Sequence, residues 1–272
     1  MTGHLYVCAT PIGNLEDVSH RLLRVLQEVD LIAAEDTRRT RKLLTAHGIR
    51  AQMTAYHQGN EHKQTDYLVQ KIRQGTRLAL VSDGGMPGIS DPGYLLVQAC
   101  ITEGLPMEVI PGPSAVLSAL VLSGLPTARF AFEGFLPKPS GEKRTRLQGL
   151  AGEERTMVFF EAPGRVRPTL EAMREVLGDR RMAMARELTK VHEQVVRGSI
   201  DEVLAALEED LKGEVVLILD GASTSSASLS DAILMARRLV EEGMTKSRAA
   251  AQAASAVGVP RRSVYEGLLE PT

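Results

Sequence analysis

The sequence contains no tryptophan and only five tyrosines and five phenylalanines in 272 residues. That scarcity argues against a dense aromatic surface for stacking ligands. It has two cysteines, Cys8 and Cys100, both in apolar surroundings; this excludes a disulfide scaffold and reads as two core thiols in a reducing cytoplasm. No apolar run approaches the roughly 20 residues that cross a bilayer. The opening stretch, MTGHLYVCAT, has neither the basic start nor the long apolar segment of a signal peptide. A cytoplasmic protein without a membrane partner is expected.

Several familiar chemistries are missing as well. There is no G-x-G-x-x-G and no G-x-x-x-x-G-K-[ST], so the phosphate cradles of Rossmann and P-loop proteins are absent. GPSAV at 112–116 lacks the closing glycine of a nucleophile elbow. The histidines show no metal-ligand spacing, and no metal is expected. One sign of charge does not dominate either: 32 Lys and Arg face 34 Asp and Glu, a net charge of −2. The basic residues are clustered, however, in TRRTRK (37–42), at Lys143, Arg144 and Arg146, and around Arg165, Arg180 and Arg261. Such clusters on a near-neutral chain raise nucleic acid as a partner.

What is present is an alternation of short apolar runs and helical periodicities. Runs at 4–9, 31–34, 77–81 and 107–110 read as strands; 19–29, 37–48, 60–74, 92–103 and 114–123 read as helices, with Asn60 and Asp91 as N-caps. This pattern predicts an α/β fold with a mainly parallel sheet covered on both faces. The irregular stretch 134–143 breaks the pattern and is read as a boundary. Beyond it, strands at 156–161, 181–187, 193–199 and 214–220 and helices at 164–177 and 200–210 form a second α/β unit. Residues 221–230 are a Ser-rich linker, followed by a small helical tail. The expected divisions are 1–125, 126–222 and 223–272.

Three turns of small residues each follow directly on a strand: TPIGN (10–14), SDGGMPGISDPG (82–93) and PGPSA (111–115). In open α/β sheets ligands bind outside the carboxyl ends of the strands. Glycine there lets a ligand approach the backbone closely.

The segments YVCATPIGNLEDVSHRLLRVLQEVDLIAAEDTRRTRKLL, LVSDGGMPGISDPG and VIPGPSAVLSAL closely resemble the ribosomal RNA small-subunit methyltransferase I family, over about residues 4–220. The resemblance implies the tetrapyrrole-methylase fold, two α/β domains with S-adenosylmethionine (AdoMet) in the cleft between them. It implies 2′-O-methylation of a cytidine in the decoding region of 16S rRNA, on the small ribosomal subunit, by a homodimer. Cofactor contacts carried over are Pro11, Asp83, Gly84, Gly85, Met86, Ser114 and Ala115 from the first domain. From the second they are Phe160, Glu161, Ala162, Ala185 and Gly213. Catalytic candidates come from EDTRRT: Glu35 or Asp36 to take or orient the proton, Arg38 to hold a phosphate or the developing oxyanion. Asp36 could equally cap the basic helix. Asn14, His57 and Lys190 are further candidates near strand ends. Methylation of a tetrapyrrole or another small molecule is the alternative within the fold, but such a substrate needs neither the basic clusters nor the tail.

In that tail, Ala254, Gly258 and Val264 have the spacing of a helix-turn-helix, with Pro260, Arg261 and Arg262 opening the second helix. A cap packed on the enzyme is the other reading.

Overall fold

The computed structural model describes residues 3–222, 229–257 and 259–269. The first sheet contains β1 (His4–Cys8), β2 (Leu31–Ala34), β3 (Met53–Ala55), β4 (Arg77–Val81) and β5 (Met107–Ile110), in the order β3-β2-β4-β1-β5. All its pairings are parallel. Period-two alternation assigns each strand residue to one face. Ala79 and Val81 point toward α1 (His20–Glu28) and α2 (Thr37–Ala46), meeting Leu22, Leu26, Leu43 and Leu44. Leu78 and Leu80 point the other way, toward α3 (Glu61–Arg73) and α4 (Tyr94–Thr102), meeting Leu68, Ile72 and Leu96. Because every strand runs the same way, the loops after β1, β2, β4 and β5 emerge at one edge.

Cys8 and Cys100 are buried, and desolvation pushes their thiols up to about 12 and about 11. They are core side chains, not nucleophiles.

The second sheet has the order β6-β7-β10-β8-β9, with β6 (Phe130–Phe135), β7 (Thr156–Glu161), β8 (Arg181–Arg186), β9 (Gln194–Ser199) and β10 (Val215–Leu219). Only β6 and β7 are parallel; the other pairs are antiparallel. One face carries α6 (Ser140–Gly149), α7 (Val166–Leu177) and α8 (Ile200–Ala206). The other receives α5 (Ala115–Ser123), which leaves the first sheet after β5 and buries Val116, Ala119 and Leu120 against Val158, Ala183, Ala185 and Val216. This helix joins the two halves. The stretch 134–143 is not a boundary: it begins inside β6 and runs into α6, so the second sheet has already started before it.

The tail forms α9 (Leu229–Glu241), α10 (Lys246–Val257) and α11 (Arg261–Gly267) around a core of its own, Ala232, Ala236, Ala249, Ala250, Ala253, Ala254, Val264 and Leu268. Ala254 and Val264 are both buried in it, Pro260 is the N-cap of α11, and Gly258 lies outside the described residues. Among the described residues no helix is long and apolar enough to cross a membrane.

Candidate active site

The loops after β1, β2 and β4 lock together before they present anything to a ligand. Thr10 and Gly85 exchange backbone hydrogen bonds, 2.9 Å in each direction, and the Thr10 hydroxyl donates to the Ser82 carbonyl at 3.1 Å. The loops after β2 and β4 trade carboxylate contacts. The Asp83 amide donates to Glu35 Oε2 at 3.1 Å, and the Asp36 amide donates to Asp83 Oδ1 at 3.0 Å. The loops cross closely: a Cβ on Gly84 would stand 3.3 Å from the Pro11 carbonyl oxygen, a tight contact that the neighbouring loop would have to yield to. Gly85 and Gly88 both have φ of +84°, which L side chains rarely adopt.

Between the two sheets these loops wall a cleft of about 340 Å³. Its apolar lining includes Ile12, Ala115, Phe135, Phe160, Leu188 and Val216. Its polar lining is almost wholly acidic: Glu35, Asp83, Asp91, Glu161 and Glu214 against the single guanidinium of Arg39. Arg39 Nε lies 3.5 Å from Asp83 Oδ2. Burial holds the Glu35 carboxyl above its ordinary value. Burial, reinforced by the charge of Glu35, pushes Asp91 up to about 7. Glu161 is buried and already committed: it accepts from the Ala162 amide at 2.9 Å and from Thr169 Oγ1 at 2.7 Å, with Arg165 Nε at 3.2 Å. Lys143, itself buried, donates to that same Thr169 hydroxyl at 2.8 Å.

Of the residues anticipated from sequence, Glu35, Asp83, Gly84, Ala115, Phe160, Glu161 and Gly213 line the cleft. Gly85 lies just behind, bridged to Thr10, while Pro11 backs Gly84. Met86 packs into the first core and Ser114 caps α5, accepting from the Leu117 amide at 3.3 Å. Ala162 leads out of β7, and Ala185 is wholly buried in β8. Asp36 and Arg38 stand outside the cleft lining. Asp36 caps α2, accepting from the Arg38 amide at 2.8 Å, and its carboxylate pairs with the same guanidinium, Nη2 to Oδ2, at 2.8 Å. That guanidinium holds the Asp36 carboxyl far below the usual carboxylate range. Asn14 caps a short 3-10 turn, and the His57 amide donates to Asn60. Lys190 bridges Glu187 at 2.8 Å and Glu214 at 3.1 Å at the rim, with its Cγ beside Gly13.

Of the two expected N-caps, Asn60 holds that position at the start of α3, but its side chain makes no capping bond there; instead it ties His57 to Ala55. Asp91 does not start α4, because Gly93 with φ of +147° takes the N-cap position and leaves Asp91 in the cleft. The lining residues that sequence reasoning assigned neither to the cofactor nor to catalysis are Ile12, Arg39, Asp91, Phe135, Pro163, Leu188, Glu214, Val215 and Val216. Ile12, Asp91 and Arg39 carried a signal, since they lie within the two loops and the basic segment already singled out.

Residues 4–204 match the family described as Tetrapyrrole (Corrin/Porphyrin) Methylases. Among solved structures the chain is similar to the methyltransferase CobJ, with a TM-score of 0.62 and 21% identity over 82% of this chain and 95% of that one. It is also similar to uroporphyrin-III C-methyltransferase from Thermus thermophilus complexed with S-adenosylhomocysteine, with a TM-score of 0.56 and 20% identity, covering 79% and 96%. Fold and cleft therefore define a methyltransferase of the tetrapyrrole-methylase class.

Relatives narrow this further. Ribosomal RNA small subunit methyltransferase I of Synechocystis sp. is 45% identical over 98% of both chains. The protein of the same name from Escherichia coli O157:H7 is 43% identical, covering 98% of this chain and 95% of its own. That from Thermotoga maritima is 44% identical, covering 99% of its own length but 80% of this chain. The chain belongs to the ribosomal RNA small subunit methyltransferase I family.

Proposed function

We propose that the protein methylates the ribose 2′-hydroxyl of a cytidine in the decoding region of 16S rRNA, using AdoMet held in the cleft between the two sheets. The observation that carries the cofactor side is the charge of the cleft. Glu161 is paired with Arg165 and Glu214 with Lys190; the remaining Glu35, Asp83 and Asp91, against the guanidinium of Arg39, suit a ligand bearing a sulfonium and an ammonium. They do not suit a polyanion. The apolar patch formed by Ile12, Ala115, Phe160 and Leu188 offers a flat ring somewhere to lie. Gly84 leaves its loop bare of side-chain atoms beside that patch.

When bound, the cofactor supplies a methyl group already activated on sulfur. The chain's own work is therefore to orient the acceptor hydroxyl and take its proton. Asp83 and Asp91 bind the cofactor's cationic and hydroxyl groups. Glu35 is the proton acceptor: its Oε2 is held by the Asp83 amide, which leaves Oε1 to meet the ribose hydroxyl. Burial gives that carboxyl a higher proton affinity than an exposed glutamate has. Asp36 and Arg38, locked to each other, shape the rim and hold the start of α2 in place. No metal ligand enters this scheme.

The protein is proposed to act in the cytoplasm as a homodimer, divided at about residues 125 and 222. Met107 and Val109 on edge strand β5 and Leu117 and Val121 on α5 are exposed, an apolar surface that a second copy would cover. Calorimetry with AdoMet and S-adenosylhomocysteine in EDTA tests the cofactor assignment; folded protein giving no binding heat would remove it. Glu35→Gln tests the proton acceptor. It should leave AdoMet affinity within about threefold and lower turnover by roughly 10²- to 10⁴-fold.

A further inference from the structure

The basic residues of the second half are largely spoken for. Arg144 pairs with Glu175, Arg146 with Glu133, Arg181 with Asp220 and Arg186 with Glu208. On α2 the pattern is different. Thr40, Leu43 and Leu44 form its buried side, while Arg38, Arg41, Lys42 and Thr45 are exposed. Those four occupy i, i+3, i+4 and i+7, one stripe about 10 Å long at 1.5 Å per residue. Together with Ala46 they line a shallow surface depression containing no acidic side chain. Among the described residues neither Arg41 nor Lys42 has an ion-pair partner. Arg38 is fixed at the head of the stripe by Asp36, yet its side chain remains 86% exposed. The next residue, Arg39, lines the cleft itself.

One helix thus links an acidic cleft to a positive stripe whose Arg41 and Lys42 are unpaired and whose Arg38 alone meets an acid, the division of charge that a cationic cofactor and a polyanionic substrate need side by side. We propose that the Arg38–Arg41–Lys42–Thr45 face of α2 is a phosphate-binding track that holds the RNA backbone next to the target nucleotide. The proposal rests on RNA being the substrate. Phosphates on this track would fix the strand's register, while the cleft selects the ribose to be methylated. The Thr45 hydroxyl adds a neutral donor at the far end.

The test is the double variant R41Q/K42Q, compared with wild type and with R144Q, which neutralises an arginine already paired. Each is assayed for AdoMet affinity by calorimetry, and for binding and methylation of small subunits and of a 16S rRNA fragment at several salt concentrations. For R41Q/K42Q, melting temperature and AdoMet affinity should match wild type, and kcat should hold at saturating RNA. KM for RNA should rise about tenfold or more at low salt. The slope of log Kd against log salt should become shallower by about 1.4, two contacts at roughly 0.7 each on single-stranded RNA. Between 50 and 200 mM salt the variant's deficit should then shrink about sevenfold. An R41Q/K42Q protein whose KM and salt slope match those of R144Q overturns the track, while wild-type methylation leaves the proposed function standing. Wild-type protein that neither binds nor methylates RNA overturns the proposed function and the track with it.

Discussion

Replacing Asp91 by asparagine should stabilise the free protein and weaken its hold on AdoMet. Burial and neighbouring acids push the Asp91 carboxyl up to about 7, against about 3.9 for an aspartate in an unfolded chain. The folded protein therefore binds this proton more tightly than the unfolded chain does. Near and below pH 4 Asp91 costs no stability; as pH rises toward 7 its contribution turns unfavourable, and above 7 the cost is constant. After discounting for the exposed part of the carboxyl, that cost is on the order of 1–2 kcal/mol. The asparagine side chain has the same shape and no charge. Without ligand, the Asp91→Asn variant should melt a few degrees higher than wild type at pH 8 and nearly level with it at pH 4. Binding should change in the opposite direction. A cationic cofactor prefers the ionised carboxylate, so wild-type affinity should be flat above pH 7 and fall by up to tenfold per unit below it. The Asp91→Asn variant should bind roughly 10- to 100-fold more weakly at pH 8, with little dependence on pH. Thermal melts and calorimetry at the two pH values read both effects. A variant that is less stable at pH 8 and binds AdoMet as tightly as wild type would refute the reasoning.

Asp83→Ala should weaken AdoMet by roughly 10- to 150-fold in calorimetry, since it removes a charge-assisted acceptor worth about 1.5–3 kcal/mol. Asp36→Ala should leave that affinity nearly intact and lower methyl transfer by loosening the start of α2; equal losses of binding in both would merge the two roles. Gly93→Ala should destabilise by about 2 kcal/mol or more in denaturant melts, because φ is +147° and the new Cβ would stand 2.9 Å from the Gly88 amide nitrogen. A truncation ending at residue 222 should keep both its melting behaviour and its AdoMet affinity. The tail has a core of its own, and the Thermotoga relative spans only 80% of this chain.

Four of the five strands of the first sheet were legible because they are short, mainly apolar runs that end at turn residues or charges. RLALV running into SDGG announces both a buried strand and a bare loop. The elements that escaped lacked such contrast. β3 has three residues, all half-buried. β6 is interrupted by Gly134 at φ of +63°, with a shift in register beside it. α6 offers Leu147 and buries Lys143 where a second apolar residue would have revealed it. The loops were located correctly, but the direction of their side chains was not. Asp91 before Pro92 has the local form of a helix start, and only the φ of Gly93 delays the helix and turns the carboxyl into the cleft. The basic clusters could not be ranked from sequence either. The acids that neutralise Arg144 and Arg186 lie 31 and 22 residues away. Nothing local distinguishes them from Arg41 and Lys42.

The most direct test of the account is transfer from tritiated AdoMet to naked 16S rRNA, small subunits and whole ribosomes in parallel, followed by nucleoside analysis. The account predicts label in 2′-O-methylcytidine from one of these substrates, and about a hundredth as much or less when Glu35→Gln protein is used at the same concentration for the same time. Label in a base methyl group, or a small-molecule tetrapyrrole methylated in preference to every RNA, would contradict it.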